Sequence, residues 1–344
     1  MHDAYAKPPD SVKGLFKAWR KCSAASLDQH PEIIDTCEPD ASRVTLLSDR
    51  EVPRRGTIRE LEQVFATYVD RDELAGLSSI CSTPGDPFEV KALPGLYVFP
   101  SLLSPLVQIS LLDKLLHRDL SDPRHHTNLH LHYDVCYPKP SASVGDQDES
   151  TSSFFSGEQR SILPPKDPAM HKPIDYTQML ETKLRWMTLG GQYDWTNKAY
   201  PKEVPPAFPP DIAALLKGLF PEINAQAAIV NLYKPGDTLS VHRDVSEECD
   251  QSLISISIGC DAVFIAGNDD GSQLASLRLR SGDAILMSGK SRYAWHAVPK
   301  VTQDTCPAWL RDWPDIPRGR QYRGWHGWMA NKRINLNVRQ MSAA

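Results

Sequence analysis

The sequence predicts an α+β fold in which a two-sheet jelly roll fills the C-terminal half and a helical extension occupies residues 1–90. Three patterns predict it. Short strand-like runs separated by turn residues follow one another from Ala228 to Met341, helical apolar spacing dominates the first 80 residues, and no internal repeat is evident. At 344 residues and 41% hydrophobic content, the chain is long enough to bury one large domain with an elaboration.

In the extension, Val12, Leu15, Phe16 and Trp19 fall at helical spacing, with Ser11 a plausible N-cap after Pro8-Pro9. Their apolar face is expected to dock on the body of the protein. A second helical pattern runs from Glu51 to Ile80 through Leu61, Val64, Phe65 and Tyr68. Pro94 to Phe99 is strand-like, and Ser104-Pro105 opens a helix through Leu116 whose apolar spacing reads as amphipathic, leaving His117 and Asp119 solvated or capping. The stretch Pro138 to Pro173 is rich in Ser, Pro, Asp and Gln and reads as a mobile surface loop.

The jelly roll begins with Ala228 to Tyr233 and a turn at Lys234-Pro235-Gly236-Asp237. Further strands are expected at Ser252–Gly259, Asp261–Ile265, Ala275–Arg280, Asp283–Met287 and Ile334–Met341.

Candidate metal ligands sit on this framework. His-x-Asp occurs three times, at His117-Asp119, His132-Asp134 and His242-Asp244, so the pair alone decides nothing. The third lies beside expected strands and is followed by His296 and by Arg333-Ile334-Asn335-Leu336-Asn337-Val338-Arg339. Two imidazoles and one carboxylate form the set that holds non-haem Fe(II) with positions left open. In an extended run, Arg333, Asn335 and Arg339 share one face while Ile334, Leu336 and Val338 share the other. Guanidinium forks match carboxylates, so this face suits a dianionic co-substrate. Taken singly, each of these residues is most simply structural; jointly and in this order they point to a site. The competitor is His130, His132 and Asp134, which would share a face if His125 to Asp134 were a strand and could then bind Zn²⁺.

At Asn231-x-Tyr233, His242-x-Asp244, His296 and Arg333-x-Asn335-x-x-x-Arg339 the sequence resembles the AlkB family of Fe(II)- and 2-oxoglutarate-dependent dioxygenases. Leu184 to Gly190, Tyr193-Asp194-Trp195 and Ser281-Gly282-Asp283 make it most similar to the eukaryotic AlkB homologue 1 group. The likeness is firm from about residue 180, weaker from Pro94 to Asp134 and not visible before Pro84.

The resemblance implies a double-stranded β-helix dioxygenase core at 223–344 with an insertion at about 303–331. Residues 91–222 would carry the first part of the catalytic region and a nucleotide-recognition lid, interrupted at about 138–173. It implies Fe(II) on His242, Asp244 and His296. The co-substrate 2-oxoglutarate would lie on Asn231, Tyr233, Arg333, Asn335 and Arg339, with Arg333 at its distal carboxylate and Arg339 near the C1 end, and O₂ would be consumed. The implied reaction hydroxylates an N-methyl group of a nucleobase, which then leaves as formaldehyde, while 2-oxoglutarate yields succinate and CO₂. Methylated adenine in tRNA (1-methyladenine) comes first as substrate and N6-methyladenine in single-stranded or flipped DNA second. Tyr193, Trp195, Ser246, His132 and Tyr133 are the substrate-facing candidates. Ser246 stands where many DNA-repair members have a second acid. Protein demethylation or hydroxylation, and an iron-independent DNA lyase using Lys234 or Lys290, are the alternatives.

Between His296 and Arg333 lie 36 residues holding Trp309, Trp313, Trp325 and Trp328 among arginines. They could stack on bases or staple the insertion to the barrel. A net charge of −5 excludes nucleic-acid binding through bulk charge, so any contact must be a local patch. Seven scattered cysteines without a C-x-x-C pair, and no long apolar span, point to a reducing interior compartment with no membrane partner. Nucleus, cytoplasm and mitochondrion are not separated by sequence, and a monomer is expected.

Overall fold

A computed structural model describes residues 3, 5–28, 30–48, 58–69, 83–138, 153–194, 197–201, 203–316 and 320–343. The chain runs α1 (Asp10–Lys21), β1 (Ile33–Asp35), β2 (Val44–Leu46), α2 (Ile58–Tyr68), β3 (Phe88–Val90), β4 (Leu96–Phe99) and α3 (Pro105–Asp113), which widens into a π-turn over Lys114–Asp119. A small hairpin, β5 (Ile162–Leu163) and β6 (Ile174–Asp175), precedes α4 (Tyr176–Gln178), β7 (Trp186–Gly190) and α5 (Pro210–Leu219). Then come β8 (Ala227–Tyr233), β9 (Leu239–His242), β10 (Leu253–Gly259), β11 (Ala262–Gly267), β12 (Leu274–Leu279), β13 (Ala284–Met287), β14 (Trp295–Val301) and β15 (Arg333–Arg339).

Two sheets form the jelly roll. The major one has the order β2-β3-β4-β13-β10-β15-β8-β7 and the minor one β1-β12-β11-β14-β9. Ile254, Ile256 and Ile258 of β10 and Ile334, Leu336 and Val338 of β15 alternate with polar residues and are at most 1% exposed. They join one apolar cluster with Leu111, Leu112 and Leu115 from the α3 segment and Leu215, Leu216 and Leu219 of α5. The alternate face of the same strands carries Ser255, Ser257, Asn335 and Arg339. Period-2 side-chain alternation thus separates core from site.

α1 docks as its spacing predicts. Val12 and Trp19 pack with Val263, Ile265, Trp295 and Ala297 of the minor sheet, and Trp19 Nε1 donates to Ser276 Oγ at 2.8 Å. Ser11 is not the cap. The helix starts at Asp10, and Ser11 Oγ instead donates to the Gly271 carbonyl at 2.9 Å, tethering the first turn to the β11–β12 turn.

Several expectations are corrected. The first 90 residues are not wholly helical: β1 pairs in parallel with β12, and β2 and β3 extend the major sheet through β4. The α3 segment is buried around most of its circumference rather than amphipathic, and its Asp119 is buried and paired with Arg118 at 2.7 Å rather than solvated. Within the stretch read as a loop, residues 139–152 lie outside the described residues, but Phe154 and Phe155 are buried. Phe155 makes edge contacts with Trp313, Trp325 and Trp328, so these insertion tryptophans hold the insertion against the 153–155 segment and the end of α3 instead of meeting solvent. Trp313 Nε1 donates to Asp113 Oδ1 at 2.7 Å and Trp325 Nε1 to the Phe155 carbonyl at 2.8 Å. Among the described residues, no helix is long and apolar enough to cross a membrane.

Candidate metal centre

β9 and β14 are neighbours in the minor sheet, and their register sets His242 directly opposite His296. Asp244 follows two residues later, where β9 has given way to irregular chain. The side-chain donor atoms of the three lie within 4.8 Å of one another, the only such cluster of metal-binding side chains among the described residues. His242 Nε2 is 3.8 Å from Asp244 Oδ1, and His296 Nε2 is 4.0 Å from Asp244 Oδ2. Each imidazole donates its Nδ1–H to a carbonyl two residues back, His242 to Ser240 at 2.8 Å and His296 to Ala294 at 3.0 Å. Those bonds fix the tautomer and leave both Nε2 lone pairs facing Asp244.

Burial, then the neighbouring His242, pushes the His296 pKa down to about 4, so it is neutral near pH 7. Burial alone would raise the Asp244 pKa, but Arg339 and the two imidazoles outweigh it and hold the carboxyl well below the usual range. Two imidazole nitrogens with their Nδ1–H groups fixed, and one carboxylate on one side, fit Fe(II) with sites left open.

Arg339 Nη2 donates to Asp244 Oδ2 at 2.7 Å, and its Nε lies 3.0 Å from Glu247 Oε1. Arg333 is different. It is 1% exposed, Nη2 donates to Ser257 Oγ at 2.9 Å, and its Nε and Nη1 have no partner. Tyr233, opposite it in the β8–β15 register, also has a buried hydroxyl without a partner. The Arg333 Cζ lies 5.3 Å from the Tyr233 ring centre, near enough to ease the burial of its charge but without a hydrogen bond of ordinary geometry. Burial lowers the Arg333 pKa and raises that of Tyr233 to about 12. Buried donors left unmade are costly, so a cradle of two guanidinium N–H groups and one hydroxyl fits a carboxylate such as the distal one of 2-oxoglutarate.

A cavity of about 420 Å³ opens at His242 and Asp244, while His296 lies buried beside them and does not line it. Asn231, Asn337 and Arg339 line it beside these two ligands; Tyr193, Lys198 and Ser246 line it as well, and so do Asp3, Ala6 and Pro8 of the N-terminal segment. Arg243 lies along the wall with its guanidinium 4.1 Å from the Trp295 ring and ion-paired to Asp269. Arg333 and Tyr233 are not among the lining residues. Asn335 shares their face but spends its amide on Ser255 Oγ at 2.8 Å and the Ile256 carbonyl at 3.0 Å.

Of the substrate-facing candidates, Tyr193 and Ser246 line the cavity, and Trp195 lies outside the described residues. His132 and Tyr133 are not at the cavity. Their segment is not a strand, because Thr127 and His130 form a reciprocal cap on a 3₁₀ turn, Asn128–Leu131. His132 instead lies beside His171, and Tyr133 bridges to Pro165. The same turn removes the shared face that a Zn²⁺ site there required.

Sequence reasoning missed Asn337, although its odd position on β15 was the available signal. It also missed Glu247, Arg292 and the N-terminal wall, for which no local pattern exists.

A family model described as the 2OG-Fe(II) oxygenase superfamily matches residues 146–339, more than half of the chain and all the candidate metal and co-substrate residues. The chain belongs to this superfamily. Within it, this oxygenase is of the AlkB homologue 1 type. It is 45% identical over 356 aligned residues to the N6-methyladenosine RNA demethylase ALKB1 of Pyricularia oryzae, covering 98% of the chain and 97% of that relative. It is 54% identical over 228 residues to the N6-methyladenosine RNA demethylase ALKBH of Cryphonectria parasitica (62% and 99% covered). It is 36% identical over 263 residues to the tRNA demethylase abh1 of Schizosaccharomyces pombe (74% and 81% covered). The first alignment carries the likeness through the N-terminal extension, where the sequence alone showed none.

Proposed function

We propose that this oxygenase removes N-methyl groups from adenine in RNA. The observation that carries the reading is the tautomer-fixed His242/Asp244/His296 set, two of whose members line a cavity of about 420 Å³, together with a buried arginine, Arg333, that has two unmatched N–H positions. The demethylases with which the chain aligns supply the substrate class.

His242, Asp244 and His296 would hold Fe(II), and Arg333 with Tyr233 would take the distal carboxylate of 2-oxoglutarate. With O₂, these groups supply oxidation of a C–H bond, and 2-oxoglutarate leaves as succinate and CO₂. Asn231 and Asn337 line the cavity, and Arg339 keeps Asp244 ionised and oriented. Hydroxylation of an N-methyl group gives a hemiaminal that collapses to formaldehyde and the unmodified amine. A purine stacked in a duplex cannot enter so deep a site, so the base must be unpaired or flipped. Net charge −5 leaves recognition to local contacts, and Lys198 is a cation on the cavity lining. Lys234 and Lys290, on which a lyase would depend, do not line this cavity.

The test is succinate and formaldehyde release by anaerobically iron-loaded protein given RNA with N6-methyladenine or 1-methyladenine, the same bases in DNA, and a methylated histone peptide. The reading expects RNA to stimulate turnover and His242→Ala to abolish it. Stimulation by the peptide alone, or strand cleavage that persists in His242→Ala under chelation, would overturn it.

A further inference from the structure

Asp244 sits on a stretch, residues 243–252, with no regular secondary structure, so no ladder of backbone bonds holds the metal carboxylate in place. One buried side chain takes over that task. Arg292, on the turn leading into β14, donates from Nη1 to the Asp244 carbonyl at 2.9 Å, from Nη2 to Glu247 Oε2 at 3.0 Å and from Nε to the Gln251 carbonyl at 2.6 Å. Three points on one loop are tied to one rigid guanidinium plane. Glu247 links this fork to the site, because its other oxygen lies 3.0 Å from Arg339 Nε while Arg339 Nη2 holds the Asp244 carboxylate. The side chains of Arg292 and Glu247 are each 2% exposed.

We propose that Glu247 and Arg292 are positioning residues for the metal carboxylate: the buried chain Arg292–Glu247–Arg339–Asp244 pre-builds the Asp244 loop before metal arrives. Two reasons make this more than packing. The four charges sum to zero, so removing the Glu247 charge leaves two arginines against one carboxylate beside the place where a dication must sit. A lysine at 292 would keep the charge but cannot span three acceptors with a planar fork. The inference rests on the metal site proposed above and is independent of which nucleic acid is the substrate.

The experiment titrates Mn(II) into wild-type protein, Glu247→Gln and Arg292→Lys by calorimetry, with circular dichroism and melting temperature recorded for each. Outer residues that orient a ligand set metal affinity by about 10- to 100-fold, and losses of that size with native dichroism are expected for both variants. Metal affinity within about twofold of wild type in either folded variant would overturn the proposal. Hydrogen exchange of the unmutated protein needs no variant. The pre-built loop predicts that residues 244–251 exchange at similar rates with and without Mn(II); a large slowing on metal addition would mean that the metal, not the clamp, orders the loop, and would overturn it too. Wild-type protein that binds no Mn(II) would remove the metal site itself, an outcome distinct from failure of the variants alone.

Discussion

Replacing Arg333 by methionine should make the ligand-free protein more stable while destroying its use of 2-oxoglutarate. Arg333 is buried with two N–H groups unmatched, and each unmade buried donor costs about 1–3 kcal/mol, so about 2–6 kcal/mol is stored there. Its bond to Ser257 and its contact with the Tyr233 ring give back about 1–2 kcal/mol together. Methionine fills a similar volume without a charge, and such exchanges of buried charge for apolar packing are often neutral or stabilising by about 1–4 kcal/mol. The same two donors, once on a carboxylate, are worth about 1.5–3 kcal/mol each, which puts the loss of 2-oxoglutarate affinity at no less than about 100-fold. Urea unfolding of ligand-free wild type and Arg333→Met, followed by titration of 2-oxoglutarate into the Mn(II) forms, measures both quantities. A ligand-free variant weaker than wild type by more than about 1 kcal/mol, with normal 2-oxoglutarate affinity, would refute the reasoning: Arg333 would then be a structural residue whose missing partners mean nothing.

His242→Ala and Asp244→Ala should each abolish succinate formation and weaken Mn(II) binding by several orders of magnitude, measured by coupled assay and calorimetry. The metal-free protein should lose stability as pH falls. The folded pKa of His296, about 4, lies below its unfolded value of 6.5, so the contribution is complete above about 6.5 and is lost as pH drops toward 4. Urea midpoints from pH 7.5 to 4.5 should show this slope, reduced in His296→Gln but not abolished, because burial also pushes His117 down to about 3. Trp19→Ala should cost about 3–5 kcal/mol by opening the α1 contact with the minor sheet and cutting its bond to Ser276, read as a lower melting temperature. Removing residues 1–9 takes Asp3, Ala6 and Pro8 off the cavity wall, and should change KM for the methylated substrate several-fold while leaving KM for 2-oxoglutarate unchanged.

Strands whose sequences are apolar or strictly alternating were legible, which covers β4, β8, β10, β11, β12, β13 and β15. β9 and β14 were not, because the residues that make them useful disguise them. Leu239–His242 is short and ends on a ligand, and Trp295–Val301 carries His296, Pro299 and Lys300. β1, β2 and β3 have three residues each, below the length at which a period of two can be seen. In the site, ligand chemistry and β15 parity announced the triad and Arg333. What stayed hidden depends on contacts distant in sequence: the Glu247–Arg292 link, the wall from residues 3–8, and the burial of Trp313, Trp325 and Trp328 around Phe155. The histidine-rich segment misled because a local Thr127–His130 cap competes with extension and wins.

β9 is the outermost strand of the minor sheet, four residues long and joined to β14 through an irregular register. Two of the three metal donors straddle that one seam, so an ion bound there is also a cross-link between a sheet and one of its edge strands. Iron depletion would then register as a fraying margin, and a protease cutting within residues 237–242 would report the oxygenase's iron status without any substrate being present.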